Sequence, residues 1–258
     1  MSPASYRSVA LGVWWRNAHN FFSNPAFFVP GVLFPMFFFV AFAGGLSRID
    51  SAPGFDFAGG YTAFVYGFVL MQASIFGGIF NGFTVARDFE SGFSRRMLLA
   101  APRRSAIILG YVLSAVTRAA FTISIVTTVA LISGMKLGGS APELLALYTM
   151  IVLLNMGASL FGVGVAMRFR TMQAAPMMQT PAFLFLFLAP VWVPLDLVAG
   201  WVHSVARFNP ATAFLQAGRG FISGEPTKVV LAFALAAGLA AAFSLFAVRG
   251  LRSAERSA

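Results

Sequence analysis

Six apolar runs of about twenty residues recur along the chain, each long enough to cross a hydrocarbon core of about 30 Å as a helix. They cover about Ala26 to Leu46, Tyr61 to Phe83, Ile107 to Gly134, Leu144 to Met167, Pro181 to Trp201 and Lys228 to Val248. With 59% hydrophobic residues, 10% charged residues and thirty phenylalanines among 258 residues, the chain holds more apolar surface than a soluble domain of this length buries. The bilayer is the natural solvent. Lipid-exposed backbone must satisfy its own hydrogen bonds, so the expected class is an all-α polytopic membrane protein with six transmembrane helices in one domain, residues 1–258. No duplication or low-complexity tract divides it. The fifth run is the weakest helix, because "PVWVPLDLV" places Pro190, Pro194 and Asp196 near its end. A break there frees backbone groups that need cover from protein or water.

The arginines set the orientation. Twelve basic residues flank the runs on one side: Arg7, Arg16, Arg87, Arg95, Arg96, Arg103, Arg104, Arg168, Arg170, Arg249, Arg252 and Arg256. The opposite loops hold five, namely Arg48, Lys136, Arg207, Arg219 and Lys228. This asymmetry places both termini in the cytoplasm, and the plasma (inner) membrane is the expected location. The net charge of +10 therefore reflects topology and not a nucleic-acid stripe. The N-terminus lacks the continuous apolar core of a signal peptide and is expected to remain in the mature protein. Residues 1–25 mix Trp14 and Trp15 with Arg16 and read as an interfacial helix. Residues 202–227 form an external helical segment, opened by Asn209 and Pro210, that either lies on the membrane or dips into it.

Chemistry of the chain's own is hard to find. Cysteine is absent, and His19 and His203 lie in different segments, which argues against metal and redox sites. No G-x-x-x-x-G-K-[ST] loop, H-E-x-x-H or G-x-S-x-G occurs, and no carboxylate pair stands within a run. Uphill transport would need energy from a partner. Polar groups inside the runs are Asn81, Arg118 and Asn155. Arg118 reads as a charge that snorkels to the nearby interface or pairs with a polar neighbour, with substrate contact as the alternative. The asparagines are suited to hydrogen bonds across helices.

One segment breaks the apolar pattern. "FTVARDFESGFSRRMLLAAPRRSA" holds seven of the chain's 26 charged residues. Within residues 84–105, Phe93, Met97, Leu98 and Leu99 alternate with Arg95 and Arg96 until Pro102, the pattern of a short amphipathic helix resting on the membrane domain. A loop that only fixed topology would need the arginines but not "DFESG".

Four stretches in order, "NPAFFVPGVLFPMFFFVAFAGGL", "GGYTAFVYGFVLMQASIFGGIFNGFTVARDFESGF", "MLLAAPRRSAIILGYVLSAV" and "FNPATAFLQAGRGFISG", make the chain resemble the type-2 ATP-binding-cassette exporter permeases, in particular the daunorubicin-resistance branch. The resemblance covers nearly the whole chain. It implies a six-span permease that pairs with a second, identical or similar, permease chain and with two ATP-binding subunits, which would use ATP and Mg while this chain binds no cofactor. It also implies a coupling helix carried by Arg87, Asp88, Glu90, Gly92, Arg95 and Arg96, and a connecting helix with Trp14, Trp15 and Arg16. Arg95-Arg96 is more basic than the acidic-basic pairing usual at that position. By analogy the cargo is a hydrophobic or amphipathic drug or lipid. The rival reading is an ATP-independent channel or membrane-embedded enzyme that uses the basic segment as an anionic-lipid anchor.

Overall fold

The computed structural model describes residues 6–101 and 103–255, apart from the side chains of Ala26, Phe27 and Pro30. Pro102, Arg256 and the first five positions of the expected interfacial helix lie outside the described residues. All regular structure among those described is helical. Ten α-helices follow in order: α1 (Tyr6–Ser23), α2 (Pro25–Gly45), α3 (Gly60–Glu90), α4 (Phe93–Ala100), α5 (Ser105–Ile132), α6 (Ala141–Phe169), α7 (Ala175–Phe187), α8 (Gly200–Phe208), α9 (Pro210–Ser223) and α10 (Val229–Glu255). Helices α3, α5, α6 and α10 are each long and apolar enough to cross a membrane, and Gly31–Gly45 within α2 is a shorter apolar stretch.

Helix α3 is the core. Its central stretch is the most enclosed of the four long helices, and it packs on α2, α5, α6, α7 and α9. At 31 residues it is about 46 Å long, so about ten residues project beyond a 30 Å hydrocarbon core. The projecting turns are those that carry Arg87, Asp88 and Glu90. At its other end Asp50 accepts a hydrogen bond from the Tyr61 amide, answering one of the unpaired N–H groups of the first turn. Helix α6 starts in a capping box, with the Ser140 amide donating to Glu143 at 2.6 Å.

The fifth run does not form the single helix expected over Pro181 to Trp201. Helix α7 starts earlier and stops at Phe187, and an irregular stretch with one 3-10 turn (Leu195–Leu197) leads to α8. Pro190 and Pro194 lack the N–H that would continue the helix. The carbonyls so freed are covered by protein. Arg219 of α9 donates to the Pro190 and Val191 carbonyls at 2.8 and 3.0 Å, and the Tyr61 hydroxyl donates to that of Trp192 at 3.3 Å. Arg219 also stacks on Phe64, 3.4 Å from the ring centroid. The arginine assigned from sequence to an external loop is thus a buried clamp.

The external segment turns inward. Asn209 caps α9 by accepting from the Ala211 amide (2.9 Å) and donates to the Phe185 carbonyl (2.7 Å), far along α7. Helix α9 then runs back about 21 Å, to where the Ile222 carbonyl accepts from Gly138 and Gly139, in the loop before α6. The α8–α9 hairpin therefore points its Asn209-Pro210 tip into the bundle, with α9 almost wholly buried.

The α3–α6 crossing depends on the absence of side chains. A Cβ on Gly82 would lie 2.6 Å from the Gly162 backbone, whereas one on Gly77 would meet only the Asn155 amide at 3.6 Å. Alanine adds about 1 kcal/mol of helix propensity at either site, but overpacking a close-packed contact costs about 1–3 kcal/mol. Gly82→Ala is therefore expected to lower the melting temperature of the detergent-solubilised protein, and Gly77→Ala to hold or raise it.

Candidate functional site

The charges of the basic end are tied into one layer. Helix α3 continues unbroken through the second run to Glu90, and the chain turns at Gly92, whose φ of 73° is a conformation that favours glycine. Helix α4 then lies against the bundle through the buried Ser94 and Leu98, leaving Arg95, Arg96 and Leu99 exposed. Leu99 is 69% exposed although it is apolar. The outward face of α4 is thus two cations beside one aliphatic side chain.

Asp88, which the resemblance counts with the coupling helix, lies on the last turns of α3 and is buried. Arg16 grips it with two bonds, Nη1 to Oδ2 at 2.8 Å and Nη2 to Oδ1 at 2.6 Å, and the Tyr111 hydroxyl donates to Oδ2 at 2.7 Å. The same guanidinium lies over the Phe93 ring at 3.9 Å, so one arginine joins α1 to the end of α3 and the start of α4. Trp14 docks α1 on α5 by donating to Thr117 at 2.9 Å, while Trp15 faces outward beside His19.

Two further latches complete the layer. Glu90 accepts from the Thr171 hydroxyl (2.9 Å) and the Met172 amide (2.7 Å), joining α3 to the α6–α7 turn. Arg104 donates to the Leu98 carbonyl that ends α4 and pairs with Glu255 of α10 at 3.4 Å. Arg87 is exposed at the same end, one turn before the Glu90 latch. Glu90 stands beyond the membrane-crossing part of α3, and the Met172 and Thr171 donors, in that order, hold its carboxyl below the ordinary range.

The intramembrane polar residues separate into two groups. Arg118 sits about 20 Å along α5 from Ser105, deeper than the one or two turns expected for snorkelling. It donates to the Asn81 side-chain carbonyl at 2.8 Å and to the Ser114 carbonyl at 3.3 Å. Asn81 in turn donates to the Tyr111 carbonyl (2.8 Å) and Ser159 (2.9 Å), so the group joins α3, α5 and α6. Asn155 lies apart and donates to the Ser74 carbonyl at 2.9 Å, while Ser74 donates to that of Ile151 at 2.5 Å. Sequence reasoning missed Tyr111 and Arg219. The signal for Arg219 was its place between two glycines in a helical apolar pattern, where a loop arginine is out of place.

Two outcomes follow from the latches. Arg16→Ala and Asp88→Ala should each cost about 1–3 kcal/mol, less than for a fully buried pair because the Arg16 side chain is 33% exposed. The double variant should cost less than their sum in a thermal-unfolding cycle. The Glu90 latch has a defined pH sense. A lowered folded-state pKa contributes stability above the ordinary carboxylate range, about 4.3, and loses it as pH falls through the lowered value. Exchange of the Met172 amide, corrected for its intrinsic pH dependence, should be protected at neutral pH and released in acid, and Glu90→Ala should release it throughout.

The sequence model of the ABC-2 type transporter family matches residues 10–222, from within α1 almost to the end of α9. No curated protein matches the chain. The match spans most of the 258 residues and takes in the whole basic layer apart from Glu255. The chain belongs to the ABC-2 type transporter family, whose membrane domain is the permease component, and not the ATPase, of transporters that work with ATP-binding subunits.

Proposed function

We propose that the chain is one half of the membrane pathway of an ATP-driven exporter of the daunorubicin-resistance type, with α4 as the helix its ATP-binding subunit engages. Six crossings are supplied by α2, α3, α5, α6, α7 with the stretch after it, and α10, which puts both termini at the basic end. The excess of arginines there supports a cytoplasmic position for that end, in a protein of the plasma membrane. Two such chains, identical or similar, would enclose the pathway between them and bind two ATPase subunits, which hold the ATP and Mg.

The observation that carries this reading is the face of α4. A helix this short is marginal alone and is held here by a buried side and three latches. Its exposed Arg96 and Leu99 offer a cationic and apolar grip on a rigid mount. Closure of the ATPase pair would move α4 and, through the Arg16–Asp88 bond and α3, shift the two permeases as rigid bodies between two accessibilities. The cargo fitting so apolar a chain is a hydrophobic or amphipathic drug or lipid.

Arg96→Glu and Leu99→Asp alter only exposed side chains. Together they should reduce co-purifying ATPase at least fivefold while the melting temperature of the permease stays within about 2 °C, since exposed substitutions shift stability by about 0.5 kcal/mol or less. Wild-type ATPase recovery from the double variant would sink the proposal.

A further inference from the structure

A cavity of about 220 Å³ opens where α1, α2, α3 and α5 meet, and the coupling scheme does not use it. Its walls include five aromatic rings, Phe21 from α1, Phe34 from α2, and Phe76, Phe80 and Phe83 from α3. Arg118 lines this apolar space while only 9% exposed. A guanidinium carries five N–H groups. Among the described residues, the bonds to Asn81 and Ser114 employ only Nη2 and Nε, and no carboxylate lines the cavity. The sole other cation on its wall is Arg87, toward the basic end.

A smaller void of about 90 Å³ adjoins, sharing Phe21, Thr84, Arg87 and Arg118. Its one carboxylate, Asp88, is already taken by Arg16 and Tyr111. The site therefore presents a positive charge without a carboxylate of its own above an aromatic slot. A buried charge left in that condition is costly, and intramembrane arginines pair with something.

We propose that this cavity binds an acidic amphiphile, with its carboxylate or phosphate on Arg118 and its first methylenes along Phe34, Phe76 and Phe80. At about 220 Å³ the space is smaller than the 300–1,000 Å³ typical of drug-sized ligands, so it holds a headgroup and the neck of a chain. The rest of the chain leaves past the Phe22, Phe28 and Phe121 cluster, where Phe22 and Phe121 are exposed at the bundle surface. As a cargo site it rests on the exporter reading and names the class of compound exported. As a binding site it stands without that reading.

The test uses the full-length chain in phosphatidylcholine nanodiscs and two photo-crosslinking, alkyne-tagged sixteen-carbon probes, one a fatty acid above its pKa and one the matching alcohol. The acid should label peptides of α2, α3 or α5 at least fivefold more than the alcohol. Arg118→Gln should remove that excess and Arg118→Lys should keep it. Thr122→Leu, which fills part of the cavity and leaves the Asn81–Arg118 bond in place, should also remove it should the glutamine variant fail to fold. Competition by untagged palmitate against phosphatidic acid distinguishes a single-chain acid from a phospholipid head, and displacement by either supports the site. Equal labelling by acid and alcohol, labelling confined to other helices, or an excess indifferent to both variants would overturn it. Co-purifying ATPase is scored separately, so its absence would remove the exporter reading and leave the labelling result intact.

Discussion

Within a hydrocarbon slab no water answers a stray amide or carbonyl, and the architecture follows from where most of the buried polar groups find a counterpart. Regular helices solve most of the problem locally. The exceptions locate the joints of the molecule. Asn81, Ser114 and Arg118 are bonded to one another between α3 and α5, Asn155 donates to Ser74 between α3 and α6, and Arg219 answers the carbonyls of Pro190 and Val191. Each of these bonds ends on α3 or beside it, which accounts for the central position of that helix.

The basic layer obeys the same rule with charges. Arg16 and Asp88 are in hydrogen-bonded contact, and Tyr111 and Phe93 complete the surroundings of the pair. Because Glu90 and Arg104 reach the α6–α7 turn and α10, parts of α1, α3, α4, α5, the α6–α7 turn and α10 meet at one end of the bundle. The residues that make these links are turned inward. The exposed side chains of α4 are Arg95, Arg96 and Leu99, on the side away from the groups that build the mount.

The helical class, the apolar runs and the amphipathic α4 were legible in the sequence because they depend on local period and on hydropathy alone. The break of the fifth run was legible as a risk, since two prolines and an aspartate stood in it. Its repair was not, because the bond from Arg219 to Val191 joins residues 28 apart in the chain. Charge counting assigned Arg219 to a loop, as it treats every arginine between two runs alike. Asp88 was visible as part of a charged cluster, but its burial depends on Arg16, 72 residues earlier. Spacing could announce that polar groups lay within the runs and not which would meet. Arg118 and Asn81 come together while Asn155 does not, a result of helix rotation fixed by glycine contacts such as Gly82 on Gly162.

Helix α3 has no proline between Gly60 and Glu90, and it is bonded at both extremities, to Asp50 at one and to Arg16 at the other. Such a rod behaves as a lever with its fulcrum among the glycines that touch α6. A few degrees of tilt imposed at the Gly92 corner reappear as a displacement of opposite sense about 46 Å away, beside the inserted hairpin. Any such tilt would gear the two ends of the helix together through a single stretch of polypeptide.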